Sequence, residues 1–354
     1  MLWLEPFRLS GIIAPLGFRS LTPCFCTAFA PAYMRRLGGA QMARQTRREF
    51  LKSTAITGGG LALAPFASAS AQAAAPADMC IARFKEVDTN SAEAVKNMAI
   101  KLTEQAIANI GGMARFVKKG DVVWVKPNMA WNRTPELAAN TNPDVVAALI
   151  RLCLEAGAKT VKVGDNPCHK ANESYAASGI EAAAKAAGAE VVYLDKTRFK
   201  EMPINGKRIE KWLVYPEIAE ADFVLNVPVV KHHQLCKVTL CMKNYLGVVG
   251  EPRGQWHQDM ETCLCDITAF MKPTMCVLDA VRIMTANGPT GGDLANVAFK
   301  NTIAAGTDIV ALEAFGAELL GHNPAEVNIV TAGQAAGLGK SDYRTLALKE
   351  VEVS

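Results

Sequence analysis

The sequence lacks a large net charge, and its small excess of positive charge lies at the start of the chain. Eight of the 38 Lys and Arg residues, but only two of the 34 Asp and Glu residues, fall within positions 1–71. The remaining residues therefore carry slightly more acidic than basic side chains. Proteins hold a nucleic-acid backbone through many Lys and Arg contacts. The near-neutral body of this chain therefore predicts no nucleic-acid partner.

Cysteines and long apolar runs are also scarce. Ten cysteines are spread over 354 residues, below the roughly 8–10% that is typical of disulfide-stabilised scaffolds. The apolar run at residues 53–65 falls short of the ~20 residues that a membrane-spanning helix requires. We therefore expect neither a disulfide framework nor a stable membrane span.

The early part of the chain has the organisation of an export signal. Arg47 and Arg48 precede the apolar run at 53–65, and the small residues at 66–72 provide a cleavage site. The arginine pair, with Phe50 and Leu51 close behind it, resembles a twin-arginine signal. That resemblance implies a protein folded before export, often because it carries a cofactor. It also implies the twin-arginine export machinery as a partner and a periplasmic or otherwise exported location.

Met42 stands just before the arginine pair, at the distance that is usual for the first residue of such a signal. The chain is therefore predicted to divide into an upstream extension that is an annotation artefact (1–41), a signal peptide (42–71), a linker (72–79) and an α/β domain (80–350).

Alternating strand and helix patterns in this domain predict an α/β fold with a mostly parallel, helix-covered sheet, in one lobe or two. Strand patterns lie at residues 121–125, 161–163, 190–194, 223–228 and 275–279. Helix patterns lie at residues 92–110, 141–156, 174–187, 259–271 and 308–320.

Polar side chains follow several of the predicted strands. We expect Asp165 and Asp279 to terminate strands, and Lys231 and His233 to follow one. Because loops after parallel strands share one edge of a sheet, these side chains should meet there. The predicted substrate-binding residues at this edge are Lys126, Asn128, Asp165, Lys231, Asn244 and Asp279. The alternative is that each Asp or Asn only caps a helix or makes a turn.

Two blocks of sequence carry a family resemblance. They are Val-Pro-Val-Val-Lys-His-His at 227–233 and Thr-Leu-Cys-Met-Lys-Asn-Tyr-Leu-Gly-Val-Val at 239–249. With Val-Gly-Asp at 163–165, His257 and the glycine-rich block at 288–292, they resemble the domain of unknown function 362 (DUF362) family. The resemblance spans nearly all of the mature domain. It implies an iron–sulfur cluster or another metal, because members of that family are often described as iron–sulfur proteins.

The chain departs from the family pattern at three points. It lacks the run of four closely spaced cysteines that is typical of ferredoxins. Ile309 follows Asp308 where the family commonly has proline, and Glu313 stands where Asp is frequent.

Two clusters of residues could carry chemistry. The candidate metal or cluster ligands are the thiols of Cys236, Cys241, Cys263 and Cys265, whose alternative role is apolar packing. The candidate catalytic residues are His233, His257 and Lys243, which predict acid–base chemistry on a bound carboxylate or phosphate. His233 is favoured over His232 because it stands where the family pattern has its histidine.

The sequence leaves three functions open. The first is an exported redox protein that carries a metal or iron–sulfur cofactor and serves a redox partner. The second is an enzyme of isomerase or racemase type acting on a small anionic substrate. The third is a periplasmic protein that binds the same ligand without chemistry.

Overall fold

The structure, a computed structural model, describes residues 76–354. The predictions for residues 1–71 and for the first half of the linker, residues 72–75, lie outside the described residues. The first strand begins at Met79, inside the predicted linker, and the last ends at Val353, beyond the predicted end of the domain.

The strands are β1 Met79–Phe84, β2 Val122–Pro127, β3 Thr160–Val163, β4 Glu190–Val191, β5 Lys200–Pro203, β6 Lys211–Val214, β7 Phe223–Val227, β8 Val229–His233, β9 Lys237–Thr239, β10 Cys276–Met284, β11 Val297–Gly306 and β12 Leu348–Val353. The helices are α1 Ala92–Asn109, α2 Pro143–Glu155, α3 Ala171–Ala177, α4 Ile180–Ala186, α5 Pro216–Ala219, α6 Cys241–Asn244, α7 Met260–Met271, α8 Ile309–Leu319 and α9 Asn328–Ala335. Among the described residues, no helix combines the length and the apolar character needed to cross a membrane.

Ten of the strands form one mostly parallel sheet in the order β12-β1-β11-β10-β7-β2-β3-β4, in which β8 also pairs with β10 and β9 pairs with β8. Strand β11 runs antiparallel to both of its neighbours, and β8 and β9 form an antiparallel hairpin. Strands β5 and β6 make a separate antiparallel pair. The predicted α/β sheet is therefore confirmed, and the described residues form one unit rather than two lobes.

Both faces of the sheet are covered by helices, because the side chains of its strands alternate between two apolar clusters. In β2, Val123 and Val125 pack with α1, α2 and α4, whereas Trp124 packs with α7, α8 and α9 on the other face. Helix α2 begins where Asn142 accepts a hydrogen bond from the amide of Asp144 and where Pro143 occupies the first turn. The sequence pattern predicted that start correctly.

Three local predictions were wrong. The helix expected at 174–187 is divided into α3 and α4 at Gly179, whose φ of 71° lies in the left-handed region that favours glycine. Asp279 does not end its strand but lies in the middle of β10. Lys231 and His233 lie within β8, which starts after Pro228 and pairs with β10. Because side chains alternate along a strand, Lys231 and His233 share one face of β8 and His232 lies on the other.

Candidate functional site

A cavity of about 620 Å³ has a wall rich in basic side chains. Its volume lies within the ~300–1,000 Å³ range of small-molecule sites. The wall is built from the segments after β2 and β3, from β8 and α6, and from the short 3₁₀ helix Arg253–Gln258. The basic residues of this wall include Lys126, Lys231, Lys243, Arg253, His233 and His257.

Lys126 is the one of these lysines that has a carboxylate beside it. Its Nζ lies 2.7 Å from Oδ1 of Asp165, and both side chains are buried. The other carboxylate oxygen of Asp165 accepts a hydrogen bond of 2.7 Å from the amide of Met129. Gly247 lies against this pair, since a Cβ there would stand 1.7 Å from Oδ1 of Asp165. The pair contributes no net charge to the cavity.

Lys231 and Lys243 are buried without such a partner. Lys231 donates to Oδ1 of Asn128 (3.0 Å) and to the carbonyl of Ala139 (2.6 Å). Lys243 donates to two sulfur atoms, Sγ of Cys236 at 3.6 Å and Sδ of Met260 at 3.7 Å. Within residues 76–354, neither ammonium group pairs with a carboxylate.

Burial disfavours the charged form of both lysines. Desolvation lowers the pKa of Lys231 to about 7, and it also lowers the pKa of Lys243. A negative charge that enters the cavity therefore stabilises the protonated form of each lysine.

Two asparagines hold the lysines in place. Oδ1 of Asn244 accepts from Lys126 (3.1 Å) and from Nδ2 of Asn128 (3.2 Å). Nδ2 of Asn244 donates to Oδ1 of Asn226 (2.8 Å) and to the carbonyl of Lys126 (3.1 Å). Because the polar atoms of the Asn244 side chain are already used by the protein, its role here is to position Lys126 and Asn128.

Two of the three histidines that line the cavity, His233 and His257, are held in opposite tautomers. Nδ1 of His233 accepts from the amides of Leu235 (3.2 Å) and Cys236 (3.3 Å), so in the neutral ring the proton lies on Nε2. Nδ1 of His257 lies 3.0 Å from the carbonyl of Gly254 and must donate to it, which leaves a lone pair on Nε2. The two rings stack with centroids 6.0 Å apart. Desolvation lowers the pKa of His233 to about 3, which keeps that ring neutral.

His233, Cys236 and His257 form a compact group. Their donor atoms all lie within 4.8 Å of one another, close enough for one metal ion to contact all three. A metal-bound histidine usually donates its other ring N–H to an acceptor. His257 has that arrangement, whereas the two amides at Nδ1 of His233 oppose it.

The comparisons with known proteins agree with the motifs. Residues 123–318 match the family described as Domain of unknown function (DUF362). The chain belongs to the DUF362 family. It is 30% identical over 240 residues to the thylakoid-associated protein sll1697 of Synechocystis sp. (strain ATCC 27184 / PCC 6803 / Kazusa), a match that covers 65% of this chain and 72% of that protein.

Among solved structures, the lactate racemase apoprotein of Thermoanaerobacterium thermosaccharolyticum is similar with a TM-score of 0.43 and 11% identity. That match covers 70% of this DUF362 chain and 57% of the other, a little over half of its length.

Most of the site residues predicted for this DUF362 protein lie together. The cavity wall includes Lys126, Asn128, Asp165, Lys231, His233, Lys243, Asn244 and His257. Asp279 is not among its lining residues. The carboxylate of Asp279 instead accepts from the amides of Asn142 (2.7 Å) and Val281 (3.0 Å), which is a structural role.

The four predicted cysteine ligands do not come together. Cys236 lies beside the histidines, as described. Cys241 is buried on α6, and Cys263 and Cys265 are buried on α7. In the part of the DUF362 chain that the structure describes, the compact group found around Cys236 contains no other cysteine.

Sequence reasoning missed Arg253, which fixes one wall of the cavity. Its guanidinium donates to the carbonyls of Asn166 (2.8 Å), Leu246 (2.7 Å) and Pro167 (3.1 Å). These acceptors belong to the loop after β3 and to the segment after α6. Because they are backbone atoms far apart along the chain, no side-chain pattern in the sequence identifies them.

Proposed function

We propose that this protein is an enzyme that binds a small carboxylate or phosphate in the cavity and moves a proton by way of His257. The observation that carries the proposal is the burial of Lys231 and Lys243 in the cavity wall without a carboxylate partner. A buried charge without a partner costs free energy, and a bound anion offsets that cost.

The charge balance of the wall supports an anionic rather than a cationic ligand. Asp165 is neutralised by Lys126, whereas Lys231 and Lys243 have only neutral acceptors around them. Glu251 also lines the cavity but lies 3.2 Å from Nε of Arg253. A charge-assisted hydrogen bond to each of the two unpaired lysines would hold the anion.

The histidines supply the acid–base groups. Nε2 of His257 has a free lone pair and can accept a proton, while Nε2–H of His233 can donate a hydrogen bond to an oxygen atom. The two rings are stacked, with 25° between their planes, and are therefore direct neighbours. This arrangement favours proton transfer on one side of the substrate over racemase chemistry with bases on opposite sides.

Calorimetric titration with inorganic phosphate and with citrate tests the proposal. We expect Lys231→Met and Lys243→Met each to weaken binding by about tenfold or more, which corresponds to the loss of one charged hydrogen bond. Lys300→Met, which removes an exposed lysine on β11, should leave the affinity unchanged. If neither anion binds, or if both cavity variants bind like the parent protein, the proposal is wrong.

The same titration should depend on pH. Since the pKa of Lys231 is about 7 in the empty cavity and rises when an anion binds, binding at pH 7.5 should take up protons. Affinity should therefore fall as pH rises above about 7. Heats measured in two buffers of different ionisation enthalpy give the number of protons taken up, and Lys231→Met should reduce it.

The alternative cofactor function keeps one point of support, the compact group of His233, Cys236 and His257. Metal and sulfide analysis of protein purified without air separates the two functions. A stoichiometric metal would occupy the lone pair of His257 and would overturn the acid–base proposal. Sulfide in addition would favour the iron–sulfur prediction.

A further inference from the structure

Trp131 has the largest side chain in the cavity wall, and the protein covers only part of it. The ring packs against a small apolar cluster made by Ala138, Ala139 and Met284. This cluster is separate from the two large apolar clusters on the faces of the sheet. Trp131 is therefore supported by apolar side chains on the protein side, and it leaves apolar surface open to the cavity.

The position of Trp131 is fixed by neighbouring loops. Its amide donates to Oδ1 of Asn140 (3.1 Å), and Nδ2 of Asn140 donates to its carbonyl (2.9 Å). The ring of His169, in the loop after β3, stands at 88° to the indole with the centroids 5.0 Å apart. Because this surface is ordered before a ligand arrives, binding a flat group on it requires little further ordering.

The indole lies beside one of the two lysines that hold the anion in the proposed function. Nζ of Lys231 is 6.0 Å from the centre of the Trp131 ring. Lys231 donates hydrogen bonds to Asn128 and to the carbonyl of Ala139, so its position has support besides the indole. An anion bound to Lys231 therefore has Trp131 as a neighbour.

The cavity is much larger than a small inorganic anion. Its volume is about 620 Å³, whereas a water molecule takes about 30 Å³ of the liquid and phosphate is only a few times larger. Besides Trp131, the partly buried side chains of Leu246 and Pro289 line it. The space that a small anion leaves therefore suits an organic group with apolar surface.

We propose that the anion bound in this cavity carries an aromatic ring, and that Trp131 selects it by packing against that ring. This inference rests on the proposed function, because it names the substrate class of the same site. Two aromatic rings attract each other beyond the area that they bury, which favours an aryl group over an aliphatic group of similar size. A tryptophan face also attracts organic cations, but the ammonium group of Lys231 beside it disfavours a second positive charge.

Calorimetric titration at pH 7 with three phosphate monoesters tests the assignment on the intact protein. Methyl phosphate carries the anionic group alone, cyclohexyl phosphate adds an aliphatic ring, and phenyl phosphate adds an aromatic ring. We expect phenyl phosphate to bind about tenfold or more tightly than methyl phosphate, because its ring is removed from water against Trp131. Cyclohexyl phosphate should bind more weakly than phenyl phosphate.

Variants of Trp131 assign this preference to the indole. Trp131→Leu should weaken phenyl phosphate binding about fivefold or more and change methyl phosphate binding less than twofold, which also shows that the variant is folded. Trp131→Phe keeps an aromatic ring and should restore most of the preference. Phe299→Leu, which removes a partly buried aromatic ring on β11 outside the cavity wall, is the matched control and should bind all three esters like the parent protein.

The outcomes separate this inference from the proposed function. If phenyl phosphate binds no tighter than methyl or cyclohexyl phosphate, or if Trp131→Leu weakens all three equally, the aromatic assignment is wrong. Weaker binding of methyl phosphate by Lys231→Met would then still support the anion site. If Lys231→Met and Lys243→Met bind every ester like the parent protein, the anion site itself is wrong, and the aromatic assignment falls with it.

Discussion

Replacing Asp165 by asparagine should strongly destabilise the protein. The change keeps an acceptor for the amide of Met129 but removes the negative charge 2.7 Å from Nζ of Lys126, in a pair that is almost fully buried. Breaking such a pair costs about 3–5 kcal/mol, because the remaining charge is left buried. Lys126 keeps two acceptors, the carbonyl of Pro127 (2.8 Å) and Oδ1 of Asn244 (3.1 Å), so we expect about 3 kcal/mol.

Urea unfolding of Asp165→Asn measures this loss against a matched exposed pair. Glu201→Gln breaks the ion pair with Lys211, whose side chains are both more than half exposed, and should cost about 1 kcal/mol or less. Adding Lys126→Met to Asp165→Asn should recover part of the stability, because no unpaired charge then remains. Lys126→Met alone is measured as well. The reasoning would be refuted by a loss of unfolding free energy below about 1 kcal/mol for Asp165→Asn, or by a loss in the double variant that equals the sum of the losses in the two single variants.

Two further predictions concern a buried acid and the export signal. Burial raises the pKa of Glu313 to about 8, so the folded state retains a proton that the unfolded state releases near pH 4.5. The unfolding free energy of the parent protein relative to Glu313→Gln should therefore fall as pH rises from about 5 to 8, by at most about 1.4 kcal/mol per pH unit, and a rise would contradict this. Replacing Arg47 and Arg48 together by lysine should abolish export while the folded protein accumulates in the cytoplasm, as cell fractionation would show; normal export would exclude the twin-arginine route.

Local sequence patterns predicted the elements whose signals lie within a few neighbouring residues. Asn142 and Pro143 mark the start of α2, and the apolar run after Asp121 marks β2. The strands β11 and β12 were not predicted, although Val351 and Val353 alternate with charged residues in β12. Strand β11 pairs with β10, the strand before it, and also with β1, which lies at the other end of the domain sequence, and that second pairing leaves no local signal.

The sequence also identified most of the residue types at the cavity but not their states. Lys231, Lys243, His233 and His257 were recognised as chemically active groups. The Lys231 ammonium has no carboxylate partner, and this depends on which side chains surround it in the folded protein. Asp279, which was expected at the site, accepts hydrogen bonds from backbone amides instead.

The sequence alone therefore determined the α/β class, the family and the basic character of the site, because hydrophobic periodicity and residue type are written along the chain. The tertiary structure decided which histidine carries its proton on Nε2 and which leaves a lone pair there. The deciding groups are the amides of Leu235 and Cys236 and the carbonyl of Gly254, which are backbone atoms common to every residue. Their effect comes from direction and distance, and these exist only once the β8–β9 turn and the 3₁₀ helix Arg253–Gln258 have folded against the same cavity.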